Sequence, residues 1–239
     1  MRVPFIKMHG LGNDFVILDA RKNGFRPAPA QIRRIADRRH GVGCDQLILL
    51  EKPRNPQARL YMGIFNADGS VSGACGNATR CVALLEKESG APEKFFIESD
   101  GAMLAAEVGK SISIDMGPAR TGWKDIPLKA AGDLGAQIET DPLFPERTNV
   151  EFVSVKDRHT LRMRVWERGA GITQACGSGA CAVLVAAVRR DLAERKATVI
   201  ADGGALSVTW LENDHVLLEG PASYSFAGEI SEQLLKDSA

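Results

Sequence analysis

An internal repeat constrains this chain more than any other feature. Leu60-Tyr61-Met62-Gly63-Ile64-Phe65-Asn66 aligns without gaps, 101 residues further on, with Leu161-Arg162-Met163-Arg164-Val165-Trp166-Glu167. Both segments read as strands, most clearly in the alternating Leu161, Met163 and Val165. Each leads through a glycine-bearing loop to Ala-Cys-Gly, at Ala74-Cys75-Gly76 and Ala175-Cys176-Gly177, and then into a helix. In the first copy Ala78, Cys81, Val82 and Leu85 share one helix face, and Gly90 and Pro92 end it. In the second, Ala180 to Val188 is apolar all round, the pattern of a helix buried on every side. Each copy continues with a strand, a turn at Asp100-Gly101 or Asp202-Gly203, and another strand. Each closes on Gly-Pro-Ala, at Gly117-Pro118-Ala119 and Gly220-Pro221-Ala222.

A repeat of this size predicts two pseudo-symmetric lobes in an α+β fold, each of mixed or antiparallel strands wrapped around a central helix. The boundary falls near Pro118, giving an N-terminal lobe of residues 1–117 and a C-terminal lobe of residues 118–221. The tail, residues 222–239, carries Tyr224, Phe226 and a short helix through Leu234 and Leu235, and is expected to pack back on the first lobe. A further helix over Ala30 to Arg39 turns Ile32, Ile35 and Ala36 to the core and Arg33, Arg34, Arg38 and Arg39 to solvent.

Charge narrows the functional classes. Lys+Arg and Asp+Glu both number 30, so a nucleic-acid or anionic-membrane binder, which needs a basic excess, is not expected. No run approaches the roughly 18 apolar residues of a spanning helix. The stretch Met1-Arg2-Val3-Pro4-Phe5-Ile6-Lys7 has no apolar signal core, and five cysteines make no even disulfide framework, so a reducing cytoplasm is the expected setting.

The repeat places Cys75 and Cys176 at the same point in each copy, immediately before a helix. Helix-terminal N–H groups stabilise an anion there, so each thiol is expected to titrate below its usual value of about 8.5. Neighbouring glycines admit a ligand or another backbone closely. With the lobes facing each other, two thiols flanking one carbon suit proton removal on one face and delivery on the other. The remaining helix-terminal N–H groups would take a carboxylate and the charge that builds on it. The same pair also fits a reversible thiol-redox couple, although no Cys-x-x-Cys is present. Cys44, Cys81 and Cys181 read as small core residues. The cysteine spacings fit no zinc site, so no metal is expected. Gly10-x-Gly12 lacks the third glycine and acidic partner of a dinucleotide site. His9, His40, His159 and His215 are scattered and read as packing or surface residues.

Four segments together resemble the diaminopimelate epimerase family over nearly the whole chain. They are Met8-His9-Gly10-Leu11-Gly12-Asn13-Asp14-Phe15; Gly41-Val42-Gly43-Cys44-Asp45-Gln46; Phe65-Asn66-Ala67-Asp68-Gly69-Ser70 with Cys75-Gly76-Asn77; and Pro145-Glu146-Arg147-Thr148-Asn149 leading to Glu167-Arg168-Gly169-Ala170-Gly171 and Ala175-Cys176-Gly177-Ser178-Gly179-Ala180. The resemblance implies an isomerase that interconverts LL- and meso-2,6-diaminopimelate for lysine and cell-wall precursors. It implies no cofactor, neither PLP nor metal, and a homodimer with a small-molecule amino-acid substrate. Cys75 and Cys176 would be the two acid/base thiols. Asn13, Gln46, Asn66 and Asn149 would be polar substrate-binding side chains, since amides both donate and accept. Gly76-Asn77 and Gly177-Ser178 would offer backbone N–H groups to the carboxylate of the reacting centre. Glu167 and Arg168 would bind the ammonium and carboxylate sides.

One departure from the family pattern is large. The family's second lobe opens with a Gly-Asn-Pro-His segment in a strand pair, the counterpart of Gly12-Asn13-Asp14-Phe15-Val16. Its asparagine binds substrate and its histidine stands beside the reacting centre. Here the chain passes from Gly117-Pro118-Ala119-Arg120 through Ile126-Pro127-Leu128 and Gly132-Asp133-Leu134-Gly135 to Asp141-Pro142-Leu143-Phe144-Pro145 without it. The second lobe is therefore expected to be short by a strand pair, with an unpaired sheet edge and uncovered core side chains. His159, in a predicted turn, does not substitute. The departure keeps a second possibility alive at this stage, a weakly active or non-catalytic relative.

Overall fold

The computed structural model describes residues 2–21, 23–73, 75–100, 102–119 and 134–236. Strands β1 (Val3–Gly10) and β2 (Asn13–Asp19) form a hairpin turned at Leu11 and Gly12, both at positive φ. Helix α1 (Pro29–Ala36) crosses to β3 (Gln46–Glu51), which runs parallel to β2 and antiparallel to β4 (Ala58–Asn66). Helix α2 (Gly76–Glu88) leads to β5 (Lys94–Ser99), parallel to β4, and on to the antiparallel β6 (Ala102–Val108) and β7 (Ile112–Pro118).

The second repeat has the short helix α3 (Leu134–Glu139), then β8 (Val150–Asp157), β9 (Thr160–Glu167) and β10 (Gly171–Thr173). Helix α4 (Gly177–Arg189) leads to β11 (Lys196–Ala201), parallel to β9, and to the antiparallel β12 (Gly204–Trp210) and β13 (His215–Glu219). Strand β14 (Ser223–Ile230) and helix α5 (Glu232–Leu235) follow. The strands form one sheet in the order β10-β9-β11-β12-β13-β7-β6-β5-β4-β3-β2-β1-β14, and β8 also pairs with β9. The two repeats join where β13 pairs with β7.

Apolar alternation decides which face of each strand is buried. Leu60, Met62 and Ile64 of β4, and Leu161, Met163 and Val165 of β9, are all 2% exposed or less. The first trio packs in one cluster with Ala78, Cys81 and Val82 of α2, and Leu161 and Met163 pack in another with Ala180, Val183 and Leu184 of α4. A third cluster joins Val16, Leu18, Leu47 and Leu49 to Ile32 and Ile35 of α1 and to Ile230 and Leu235 of the tail. The tail does pack on the first repeat: β14 pairs antiparallel with β1, and Gln31 donates to the Leu235 carbonyl at 3.1 Å.

Several expectations need correction. Helix α1 stops at Ala36, because the Asp37 carboxylate takes the N–H groups of Arg39 and His40 and turns the chain. Helix α4 is not buried all round, since Ala182 and Ala186, one turn apart, are exposed. Strand registers explain why. Ile64 and Val165 correspond in the repeat, and their partners are Ile48 on β3 and Glu151 on β8; Leu50 and Val153 correspond likewise. Leu50 is fully buried in the cluster around α2, on a strand that β2 flanks, whereas Val153 is 43% and Val155 41% exposed. Among the described residues β8 pairs with β9 alone, so nothing does for β8 what β2 does for β3. The expectations for Ala74, Gly101 and the 120–133 stretch lie outside the described residues.

Candidate active site

The site grows from the two helix starts. Cys75 and Cys176 are the N-caps of α2 and α4, both in extended backbone. Cys75 Sγ accepts the Ala78 N–H at 3.5 Å, and Cys176 Sγ accepts the Gly179 N–H at 3.3 Å. A cysteine thus takes the capping role usually given to serine or aspartate. The helix starts touch each other. A Cβ on Gly177 would fall 3.1 Å from both the Asn77 nitrogen and Gly76 Cα, and one on Gly76 would fall 2.5 Å from Leu218 Cδ2. Only glycines allow that approach.

Side chains link the two thiols through a chain of amides. Asn13 Oδ1 lies 3.8 Å from Cys75 Sγ and accepts from Asn77 Nδ2 at 3.1 Å. Asn77 Nδ2 also donates to the Ala175 carbonyl at 3.0 Å, next to Cys176. Asn149 Nδ2 points at Cys176 Sγ at 3.7 Å, and Ser178 Oγ stands 3.4 Å from it. Asn149 Oδ1 accepts the Arg168 N–H at 2.9 Å, while the Arg168 guanidinium donates to the Glu146 carbonyl. Gln46 Nε2 donates to Asn66 Oδ1 at 3.0 Å, and Gln46 Oε1 is buried with no hydrogen-bond partner among the described residues. Glu167 accepts from the Thr173 hydroxyl, and its charge raises both thiols. Asn13, Asn77, Asn149, Ser178, Glu167, Gly76 and Gly177 therefore gather around the thiols. Gln46 and Asn66 form a hydrogen-bonded pair on β3 and β4, and Arg168 follows Glu167.

The thiols do not titrate as expected. Burial pushes Cys75 up to about 12 and Cys176 well above its ordinary value. The two residues are 7% and 4% exposed, so loss of water around the thiolate outweighs the helix-terminal N–H groups. The Glu167 charge adds to both, and Glu151 adds to Cys176. Burial likewise raises Glu167.

Two supporting groups escaped the sequence reading. Arg38 is exposed, as expected, and it also donates to Asp14 Oδ1 and Asp45 Oδ1, both at 2.7 Å. Asp45 Oδ2 in turn holds Asn13 Nδ2 at 2.9 Å. Arg80 is fully buried and donates to Asn77 Oδ1 at 2.8 Å and to the Pro221 carbonyl at 3.3 Å. An arginine between Ala78 and Cys81 on an apolar helix face was the available signal. All five cysteines are free and buried. His159 sits in the β8–β9 turn, where its N–H goes to Asp157. Among the described residues, no three His, Cys, Asp or Glu side chains are placed to hold a metal ion, and no helix is long and apolar enough to cross a membrane.

The chain is 46% identical over 274 residues to the diaminopimelate epimerase of Rhodospirillum centenum, covering 98% of this chain and 94% of that one. It is 46% identical over 273 residues to that of Acidiphilium cryptum, covering 97% and 98%. In the first alignment 98% of 239 residues is about 234, so about 40 of the 274 positions are filled in the relative and empty here. The hydroxyproline epimerase of Agrobacterium vitis, solved with trans-4-hydroxy-L-proline, superposes with a TM-score of 0.69 at 13% identity, covering 96% of this chain and 91% of that one. A phenazine biosynthesis protein of Bacillus anthracis gives 0.67 at 15% identity, covering 97% and 99%. At such identities these two likenesses bear on the fold alone. The sequence profile described as diaminopimelate epimerase matches residues 5–122 and 124–225, and with relatives at 46% identity over nearly all its length, this chain belongs to the diaminopimelate epimerase family.

Proposed function

We propose that the chain interconverts LL- and meso-2,6-diaminopimelate, with Cys75 and Cys176 as its two acid/base groups. The observation that carries this reading is the contact between the two helix starts, which brings both capping thiols to one place. One thiolate removes the α-proton, and the opposite thiol delivers a proton to the other face. A buried thiolate is a strong base, which suits a carbon acid as weak as an amino-acid α-carbon. Glu167 and the unpartnered Gln46 Oε1 are acceptors for a substrate ammonium. Pairing a cation with Glu167 offsets the charge that disfavours both thiolates, so substrate arrival itself activates the pair. Asn13, Asn66, Asn77, Asn149, Arg168 and Ser178, with the N–H groups of Gly76 and Gly177, would orient the carboxylates.

The reading includes two lobes, residues 1–117 with 222–239 and residues 118–221. Separate apolar clusters around α2 and α4, and a family match that breaks between residues 122 and 124, support it. A cytoplasmic homodimer rests on the resemblance, and five free cysteines fit a reducing compartment. The β8 edge, unpaired among the described residues, predicts a more open cleft and slower turnover than in relatives that carry the Gly-Asn-Pro-His segment.

The test is α-hydrogen exchange. Protein incubated with diaminopimelate in D2O takes up deuterium at the α-carbon, and Cys75→Ala and Cys176→Ala each abolish net epimerisation. Absence of exchange in the wild type, or exchange unchanged in both variants, overturns the assignment.

A further inference from the structure

The two thiols are not held alike. The first repeat sets Ile48 opposite Ile64 and puts Ala78 in the first turn of α2; the second sets Glu151 opposite Val165 and puts Gly179 in the first turn of α4. The two exchanges compensate in space. A Cβ on Gly179 would lie 2.6 Å from Glu151 Oε1 and 3.1 Å from its Cγ, so the carboxyl fills the room that Ala78 occupies in the first copy. Gly179 is the residue whose N–H caps Cys176 Sγ. A carboxyl therefore stands against the capping turn of one thiol, while a fully buried isoleucine occupies the matching place near the other. Among the described residues, the titratable groups that face Glu151 are Glu167 on β9 and Cys176 at the start of α4.

We propose that Glu151 is a positioning residue that makes Cys75 the first thiol of the pair to ionise and keeps the remaining proton on Cys176. This rests on the two-thiol reading above and deepens it. A negative charge beside one sulfur opposes its ionisation through Coulomb repulsion. The Glu167 charge acts on both thiols, with a hydrogen bond to Cys176 besides, whereas the Glu151 charge acts on Cys176 alone of the two. Burial, helped by Glu167, lifts the Glu151 carboxyl to about 7, so its charge appears within the physiological range. Below that range the thiols differ less, and above it the proton settles on Cys176. Two thiols sharing one proton titrate as a pair, and an asymmetric charge decides which microstate dominates. The device sets which isomer meets a correctly protonated enzyme first.

The test reads each thiol directly and does not depend on turnover. Iodoacetamide alkylation is followed from pH 6 to 10 with peptide mass spectrometry resolving Cys75 from Cys176, in wild type, Glu151→Gln and Glu151→Asp, the midpoint of each thiol being the pH at which half of it is labelled in a fixed time. In Glu151→Gln the pH midpoint for Cys176 falls while that for Cys75 stays or rises, and Glu151→Asp keeps most of the wild-type difference. A carboxyl that merely fills space is matched by glutamine, so unchanged midpoints overturn the proposal. An equal fall at both thiols reports general loosening and overturns it as well. If Glu151→Gln does not fold, Glu151→Asp decides: its Cys176 midpoint must stay above that of Cys75. Failure of the epimerase assignment appears separately, as loss of α-deuterium exchange in the wild type.

Discussion

Replacing Gly177 with alanine tests whether the two helix starts meet as described. The added Cβ would sit 2.9 Å from Leu218 Cδ2 and 3.1 Å from both the Asn77 nitrogen and Gly76 Cα. Leu218 can rotate away, but the other two atoms are backbone in the first turn of α2 and move only with the helix. Overpacking of this kind costs about 1–3 kcal/mol. Alanine recovers up to about 1 kcal/mol over glycine in a helix, less at its first position, so the net loss is roughly 0–2 kcal/mol. At about 2–4 °C per kcal/mol for a chain of this size, thermal unfolding falls by no more than about 8 °C. The effect on chemistry is larger, because a displacement near 1 Å between catalytic groups costs on the order of 100-fold. Differential scanning calorimetry and α-deuterium exchange measure the two effects. Gly73→Ala, where an added Cβ meets nothing within 4 Å, is the control and leaves both nearly unchanged. Full exchange activity with an unshifted melt in Gly177→Ala would refute the contact between helix starts and the site built on it.

Glu167→Gln lowers the alkylation midpoints of Cys75 and Cys176 together, because its charge disfavours both thiolates; a shift at one thiol alone contradicts a charge felt by both. Leu50→Ala costs about 2–5 kcal/mol in urea unfolding, whereas Val153→Ala at the matching place in the second repeat costs under about 1 kcal/mol; equal losses would mean that β8 is covered. Glu151 makes stability depend on pH. Its folded carboxyl titrates at about 7, above its ordinary 4.5, so its contribution is full below pH 4.5 and is lost as pH rises through 7. Glu151→Gln flattens the melting temperature across that window, and an identical slope in both proteins counts against the raised carboxyl.

The repeat was legible because its signals are local: alternation in Leu161-Met163-Val165, a Cys-Gly pair before each helix, and a Gly-Pro-Ala close. These point to strands, helix starts and paired thiols in sequence order. The lowered thiol titration was misread because it depends on burial, which no neighbouring residue reports; the helix N–H groups are present but lose to desolvation. Arg38 is exposed as the helical pattern implies, but its ion pairs with Asp14 and Asp45 depend on the fold and not on that pattern. Arg80 needed the three-dimensional approach of Asn77 and Pro221 to show why a buried cation is kept. The counterpart relation between Ile48 and Glu151 depends on registers of β3–β4 and β8–β9, which sequence alignment of the repeat leaves undetermined.

The pairing of β14 with β1 has a consequence for how the chain comes off the ribosome. His9 lies opposite Ser223 and Val3 opposite Ile230, so the outer edge of the earliest strand is finished by one of the latest. At roughly 5–20 residues per second, β1 waits on the order of ten to forty-five seconds for its partner. During that wait its unpaired backbone groups and the apolar face that will hold Ile230 and Leu235 stand open to other chains. Closing so long a loop carries an entropy cost that local contacts do not share, so the final strand acts as a late checkpoint for a domain begun much earlier. Lesions within Ser223–Ile230 therefore register as aggregation or degradation of the whole protein, even though the thiols lie elsewhere in the sequence.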